Sequence, residues 1–263
     1  MFCNRPKVDN ISESIHYSWA GWNPAYFKFG GISFRSTSCE LSLAGSIILR
    51  HNTCIVKILA VSDEVVERLY TLCASGHFLE IELILGCGDL PYPYLENLLT
   101  FLNIPLFYVP GNHDPIYNAE NPLAHVEGGC NLDLKMMRFK HFLIGGFGGS
   151  IQYRPNAANQ HSQTDAYLRA FRMLPRLLLN RVRYQRALDV LITHSPPFRI
   201  HDDDTHAHQG LKAINWLLRV AKPRYHFHGH THFQRRNLSP SETIQNLTKI
   251  VNVFPYKIIE IHH

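Results

Sequence analysis

The chain has 263 residues, 45% of them hydrophobic and 18% charged, with a formal net charge of +5. That is ordinary globular material able to bury a sizeable core, and the mild basicity suits an anionic substrate without pointing to nucleic acid. No run approaches the ~20 apolar residues of a membrane span, and the N-terminal MFCNRPKVDN lacks the apolar stretch of a signal peptide.

Residues 1–53 are rich in Ser, Asn, Gly and aromatics and follow no sustained period. They read as an extension that adds little to the core, or as an over-long gene model; Ile32–Phe34 is the one short strand candidate. Regular structure begins at Cys54–Val61, a short apolar run of the kind that forms a buried strand. Glu64–Ser75 has helical spacing, Glu80–Leu85 is a second strand, Leu95–Leu102 a short helix and Leu106–Val109 a third strand. This alternation predicts βαβ units with right-handed crossovers. Met137–Ile144 and Phe147 suggest strands broken by Gly145-Gly146 and Gly148-Gly149. Asp165–Ala187 is helical, but Pro175 predicts two helices or a kinked one. Asp189–Ile192 is a strand, Gly210–Val220 a helix, and Tyr225–His228, Lys249–Val253 and Tyr256–Ile261 are strands.

Two strings stand out. Val109-Pro-Gly-Asn-His-Asp-Pro115 runs from a strand into a Gly turn that presents an amide, an imidazole and a carboxylate together. His226-Phe-His-Gly-His-Thr-His232 places alternate imidazoles after another Gly turn. Oxygen and nitrogen donors converging at strand ends suit borderline divalent metals. Asp63, Asp89, Asn112, His194 and His230 all fall just past the end of a predicted strand, where ligand sites of open α/β sheets lie. Any one of them alone is more often an ordinary turn or cap residue. The six cysteines, at 3, 39, 54, 73, 87 and 130, form no Cys-x-x-Cys pair, so neither a zinc knuckle nor a redox motif is indicated; reduced thiols fit a cytoplasmic setting.

Ser62-Asp63-Glu64-Val65, Gly88-Asp89, Gly111-Asn112-His113-Asp114, Thr193-His194 and Gly229-His230-Thr231-His232 together resemble the motifs of the calcineurin-like metallophosphoesterase superfamily, over about residues 54–263. The resemblance implies an α/β fold: a two-sheet sandwich with helices on both outer faces, in four layers. It implies one or two divalent metal ions per chain, manganese, iron or zinc. Asp89 would bridge two ions, Asp63 and His232 would bind the first, and Asn112, His194 and His230 the second. His113 would protonate the leaving oxygen, with Asp114 holding its ring. Hydrolysis of a small phosphomonoester or phosphodiester by in-line attack of a metal-bound hydroxide follows. Where the family has a first-metal His, this chain has Val65, which carries no donor. Glu64, His226 and His228 are the neighbours that could replace it. Two rivals stand beside this expectation: a nucleotide phosphodiesterase, and a degenerate member acting as an interaction scaffold. A nuclease is disfavoured, since no extended basic and aromatic groove is evident.

Three further features have plainer readings. His201–Asp204 with His206 and His208 reads as a solvated acidic loop, although it could bring His208 over the substrate. The arginines among Tyr167–Arg186 could mark a basic amphipathic helix for membranes or anionic substrates, but read rather as a solvent-facing basic surface over an apolar packing face. Cys87 reads as a small buried residue at a strand end.

Overall fold

The structure, a computed structural model, describes residues 55–116, 121, 124–203, 205–232 and 241–263. In chain order the first elements are β1 (Ile55–Val61), α1 (Arg68–Ala74), β2 (Leu83–Gly86), α2 (Tyr92–Leu102), β3 (Leu106–Tyr108) and β4 (Cys130–Asn131). Next come β5 (Met136–Phe139), β6 (Phe142–Phe147), β7 (Ser150–Ile151), β8 (Gln160–His161), α3 (Gln163–Tyr184) and β9 (Val190–Thr193). A 3-10 turn at His206–His208 precedes α4 (Lys212–Ala221), β10 (Tyr225–His228), β11 (Glu242–Gln245), β12 (Thr248–Asn252) and β13 (Tyr256–His262). The Ile32–Phe34 strand, the proposed 1–53 extension and Cys54 lie outside the described residues.

The first sheet has the order β13-β1-β2-β3-β4 and the second β11-β12-β10-β9-β6-β5, while β7 and β8 pair separately. β1, β2, β3 and β4 run parallel, with β13 antiparallel at one edge. In the second sheet β6, β9, β10 and β12 are parallel and the edge strands β5 and β11 are antiparallel.

Side-chain alternation along the strands builds the layers. Val56, Ile58 and Ala60 of β1 meet Ile144, Val190, Ile192, Phe227 and Val251 of the second sheet in the central core. The intervening Leu59 and Val61 face outward and pack under Leu69 of α1 and Leu95 and Leu98 of α2. Leu143, Leu191 and Ile250 face the other way, under Ala166, Ala170 and Met173 of α3 and Ile214 and Leu217 of α4. Strands covered on both faces are continuous apolar runs, which is why they are visible in the sequence. The result is a two-sheet sandwich flanked by helices on both outer faces.

Three expectations change. Gly145 and Gly146 do not break a strand but lie inside β6, where a Cβ on Gly146 would come 2.6 Å from Val109 of the facing sheet. Close sheet-to-sheet approach, rather than termination, is what these glycines provide. Of the two forms expected around Pro175, the pair of helices is not found: α3 is one helix, with Pro175 on its exposed side. The first expected helix, Glu64–Ser75, shrinks to Arg68–Ala74, because Asp63 to Val66 form the irregular turn that carries the site.

Candidate metal centre

The parallel strands of both sheets end along one edge, and the candidate residues leave from those ends. Asp63 follows β1, Asp89 follows β2, Asn112 follows β3, His194 follows β9 and His230 follows β10. Asp63, Asp89 and His230 adopt φ values of 65°, 55° and 68°. Asp, Asn and His are the non-glycine residues that tolerate this left-handed region best, at ~1–2 kcal/mol each. Bonds to neighbouring loops offset the strain. Asp63 Oδ2 accepts the His230 amide at 2.9 Å, and Asp89 Oδ1 accepts the His113 amide at 2.7 Å. Two glycines let the loops touch. A Cβ on Gly88, at φ 88°, would come 2.6 Å from the Gly111 nitrogen, and one on Gly229 would overlap the Ser62 hydroxyl and the Asp63 carboxylate.

The centre of the cluster is His194, fully buried. Its Nδ1 lies 2.9 Å from the Cys87 carbonyl, which can only accept, so Nδ1 carries a proton and Nε2 is turned to the cluster. His230 is held the opposite way round. Its Nε2–H donates to the Ala207 carbonyl at 2.8 Å, leaving the Nδ1 lone pair bare. His194 Nε2 and His230 Nδ1 face each other at 3.0 Å. Asn112 Oδ1 is 2.9 Å and Asp89 Oδ2 3.3 Å from the same His194 Nε2. Tyr153 Oη takes the Asn112 amide hydrogen at 3.1 Å and so turns the amide oxygen inward.

His194 Nε2 is therefore the meeting point of one imidazole nitrogen, one amide oxygen and one carboxylate oxygen, at 2.9–3.3 Å. Atoms that ligate a common first-row ion at ~2.1 Å stand ~3.0–3.4 Å apart, close to these separations. Asp89, His194 and His230 form the one such group of His, Cys and acidic residues among the described residues. The electrostatics describe the same cluster without a cation. Burial opposes charge on His194, but the Asp89 and Asp63 carboxylates outweigh it and hold the imidazole well above its usual range, so a proton then occupies the inward nitrogen. Burial and the His194 charge together push His230 well below. The donor set calls for one positive charge at its centre, and the residues fit a divalent cation.

The neighbouring half of the cleft is sparser. Asp63 Oδ1 lies 3.5 Å from His232 Nε2; the carboxylate is buried, while the imidazole is 46% exposed and stacks on Phe254 with ring centres 4.3 Å apart. Glu64 and Val65 do not line the cleft, and Val65 is 39% exposed. His226 and His228 are turned away: His226 Nε2 donates to Thr193 Oγ1 at 2.9 Å, and His228 Nε2 accepts from His201 Nδ1 at 2.9 Å. None of the three expected substitutes for the missing imidazole reaches Asp63.

His113 is exposed and lines the cleft, a volume of about 320 Å³ bounded also by Asp63, Asp89, Tyr153, His208 and His232. The expected bond from Asp114 to the His113 ring is not made. Asp114 Oδ2 instead accepts the amides of Gly111 at 2.7 Å and Asp89 at 2.9 Å, locking two site loops together. Burial pushes this carboxyl up to about 6, against the two amides that favour its charge.

The loop after β9 does reach over the cleft. His208 lines it with its ring centre 5.3 Å from that of His230. This loop is not the solvated segment its sequence suggests, because His201 is buried. Asp202 Oδ2 closes it by accepting the amides of Arg199 and Gly210. Tyr153 and the Ala207 carbonyl belong to the site but had no signal in the sequence. One is an aromatic in an unpatterned loop, and the other acts through its backbone.

A helix-covered double sheet with donors gathered at its strand ends has the layout of an α/β protein with a candidate metal centre. The model of the calcineurin-like phosphoesterase family matches residues 56–234, and the chain belongs to that family. One solved chain aligns with 14% identity and a TM-score of 0.53, covering 79% of this chain and 99% of that one. The protein TT1561 of Thermus thermophilus aligns with 17% identity and a TM-score of 0.48, covering 76% and 89%. An archaeal phosphodiesterase aligns with 12% identity and a TM-score of 0.37, covering 78% and 100%. At 14% identity the first of these likenesses speaks to the fold alone. No curated protein matches the chain.

Proposed function

We propose that this chain hydrolyses phosphate esters, monoester or diester, with a divalent metal held by Asp89, Asn112, His194 and His230. The observation that carries the reading is the pair of oppositely locked imidazoles, whose inward nitrogens converge with an amide and a carboxylate oxygen. A bound divalent ion would supply Lewis acidity to the phosphoryl oxygens and activate water. The chain's own residues do the rest. His113, exposed in the cleft and free of the donor cluster, is placed to give a proton to the departing oxygen. The bonds from Asp89 Oδ1 and Asp114 Oδ2 to the backbone of residues 111–113 fix where that imidazole starts from. Asp63 and His232 offer a second, weaker cation position. His208 and Tyr153 stand at the rim, where an alcohol group of the substrate would lie.

The test is elemental analysis per chain alongside turnover on a panel of phosphomonoesters and phosphodiesters, before and after chelation. Activity lost on chelation and restored by manganese, iron or zinc is the expected result. Metal-loaded protein that turns over neither ester class would favour the scaffold reading instead.

A further inference from the structure

Helix α3 has two apolar faces. Ala166, Ala170, Met173 and Leu177 are buried against the second sheet. Leu168, Phe171, Leu178, Leu179 and Val182 lie on the opposite side and are exposed, Val182 by 77% and Leu168 by 57%. With Pro175 they recur at spacings of three and four, so they form one stripe along the outermost surface. The stripe runs over ~20 Å at 1.5 Å per residue.

Arginines edge this stripe. At ~100° per residue Arg172, Arg176 and Arg183 fall along one flank and Arg181 along the other. All four are exposed and have no ion partner among the described residues, whereas Arg169 and Arg186 are committed inward to Asp133 and Asp189. Asp165 is the one acid in the helix, and it is engaged with Ser162 at the N-cap. Phe171 packs edge-on against the half-buried Trp216 of α4, ring centres 4.8 Å apart, and Tyr167 lies beside it. The exposed Arg219 of α4 adds charge on the same layer.

We propose that this outer face of α3 docks on an anionic lipid surface. Leucine, valine and phenylalanine would enter the acyl boundary, and the flanking arginines would reach the lipid phosphates while their stems cover the apolar stripe. Half-buried Trp and Tyr at the edge suit the headgroup level. The charge decides against a second copy of the chain as occupant. Two such faces would bring two sets of unpaired arginines together with almost no acid between them.

The test is co-sedimentation of the full chain with phosphatidylcholine vesicles with and without phosphatidylserine. Binding should require phosphatidylserine and weaken with salt. Each of Arg172→Gln and Arg176→Gln should weaken it about fivefold, and Leu178→Glu with Val182→Glu by more than tenfold. These positions are exposed, so melting temperature and ester hydrolysis should stay as in the parent chain. Absence of binding to the serine-containing vesicles, or equal binding by the variants, overturns the proposal. So does a parent chain that is dimeric in sedimentation velocity while the glutamate variant is monomeric, since the stripe is then a self-association face.

Discussion

In one half of the cleft, Asn112, His194 and His230 are each aimed by a second group: Tyr153, the Cys87 carbonyl and the Ala207 carbonyl. In the other half, only the Asp63 carboxylate is held, by Ser62 and the His230 amide, while His232 lies half in solvent against Phe254. The two halves come from motifs of similar length in the sequence, yet one is preorganised and the other is not. A donor whose orientation is fixed before the ion arrives loses little freedom on binding. Affinity should therefore be strongly unequal, with one ion held and a second exchanging.

The largest effect should come from a group that belongs to neither half. His113→Ala is expected to lower turnover by ~10²–10⁴-fold, the usual range for a lost general acid. Metal content, measured by elemental analysis, should not change; a drop would make His113 part of the cation's binding set. A smaller loss should come from disturbing the aimed half. Tyr153→Phe removes the acceptor that orients Asn112, and the affinity of the tight ion should fall by about 10–100-fold. If titration shows no weakening, the aim of that amide is set elsewhere and the contrast between the halves loses one of its supports.

Adding a donor to the sparse half is the converse experiment. Val65→His extends a donor from the turn beside Asp63, farther than the valine that stops short of the cleft, and should tighten the second ion about tenfold. Dialysis followed by elemental analysis reads the result. Two tightly held ions in the unaltered chain would erase the difference between the halves.

The smallest expected effect concerns protons behind the site. Burial holds His226 down to about 3 and His201 to about 4, whereas unfolded histidine titrates near ~6.5. Between those values the unfolded chain binds more protons, so this stability is whole above pH ~6.5 and is lost as pH falls towards 4. Melting temperature should drop between pH 7 and 5. His226→Phe should flatten that drop, while costing about 1 kcal/mol at pH 7 through the lost bond to Thr193. An unchanged slope would remove His226 from the account.

The sequence carried the buried strands and the donor positions well, for a physical reason. Strands covered on both faces are unbroken apolar runs, and Asp89, Asn112, His194 and His230 sit at their ends because that is where a parallel sheet leaves polar side chains uncovered. Other features depend on tertiary contact and left no local trace. β4, β7 and β8 are two residues long and exist only through their partners. Gly146 reads as a strand breaker until the facing Val109 is known. His201 reads as a loop residue until His228 is found beneath it. The second apolar stripe of α3 was hidden among its arginines, because a pattern with apolar residues on both sides of a helix looks like weak periodicity.

The donors of the tighter half come from different layers. Asp89 and Asn112 leave the first sheet, and His194 and His230 leave the second. A cation among them would act as a rivet through the open edge of the sandwich, joining two slabs that otherwise meet through apolar packing. Its binding free energy would then also be cohesion between the slabs. The loops at that edge would open and close as a seam whose tightness follows the supply of metal.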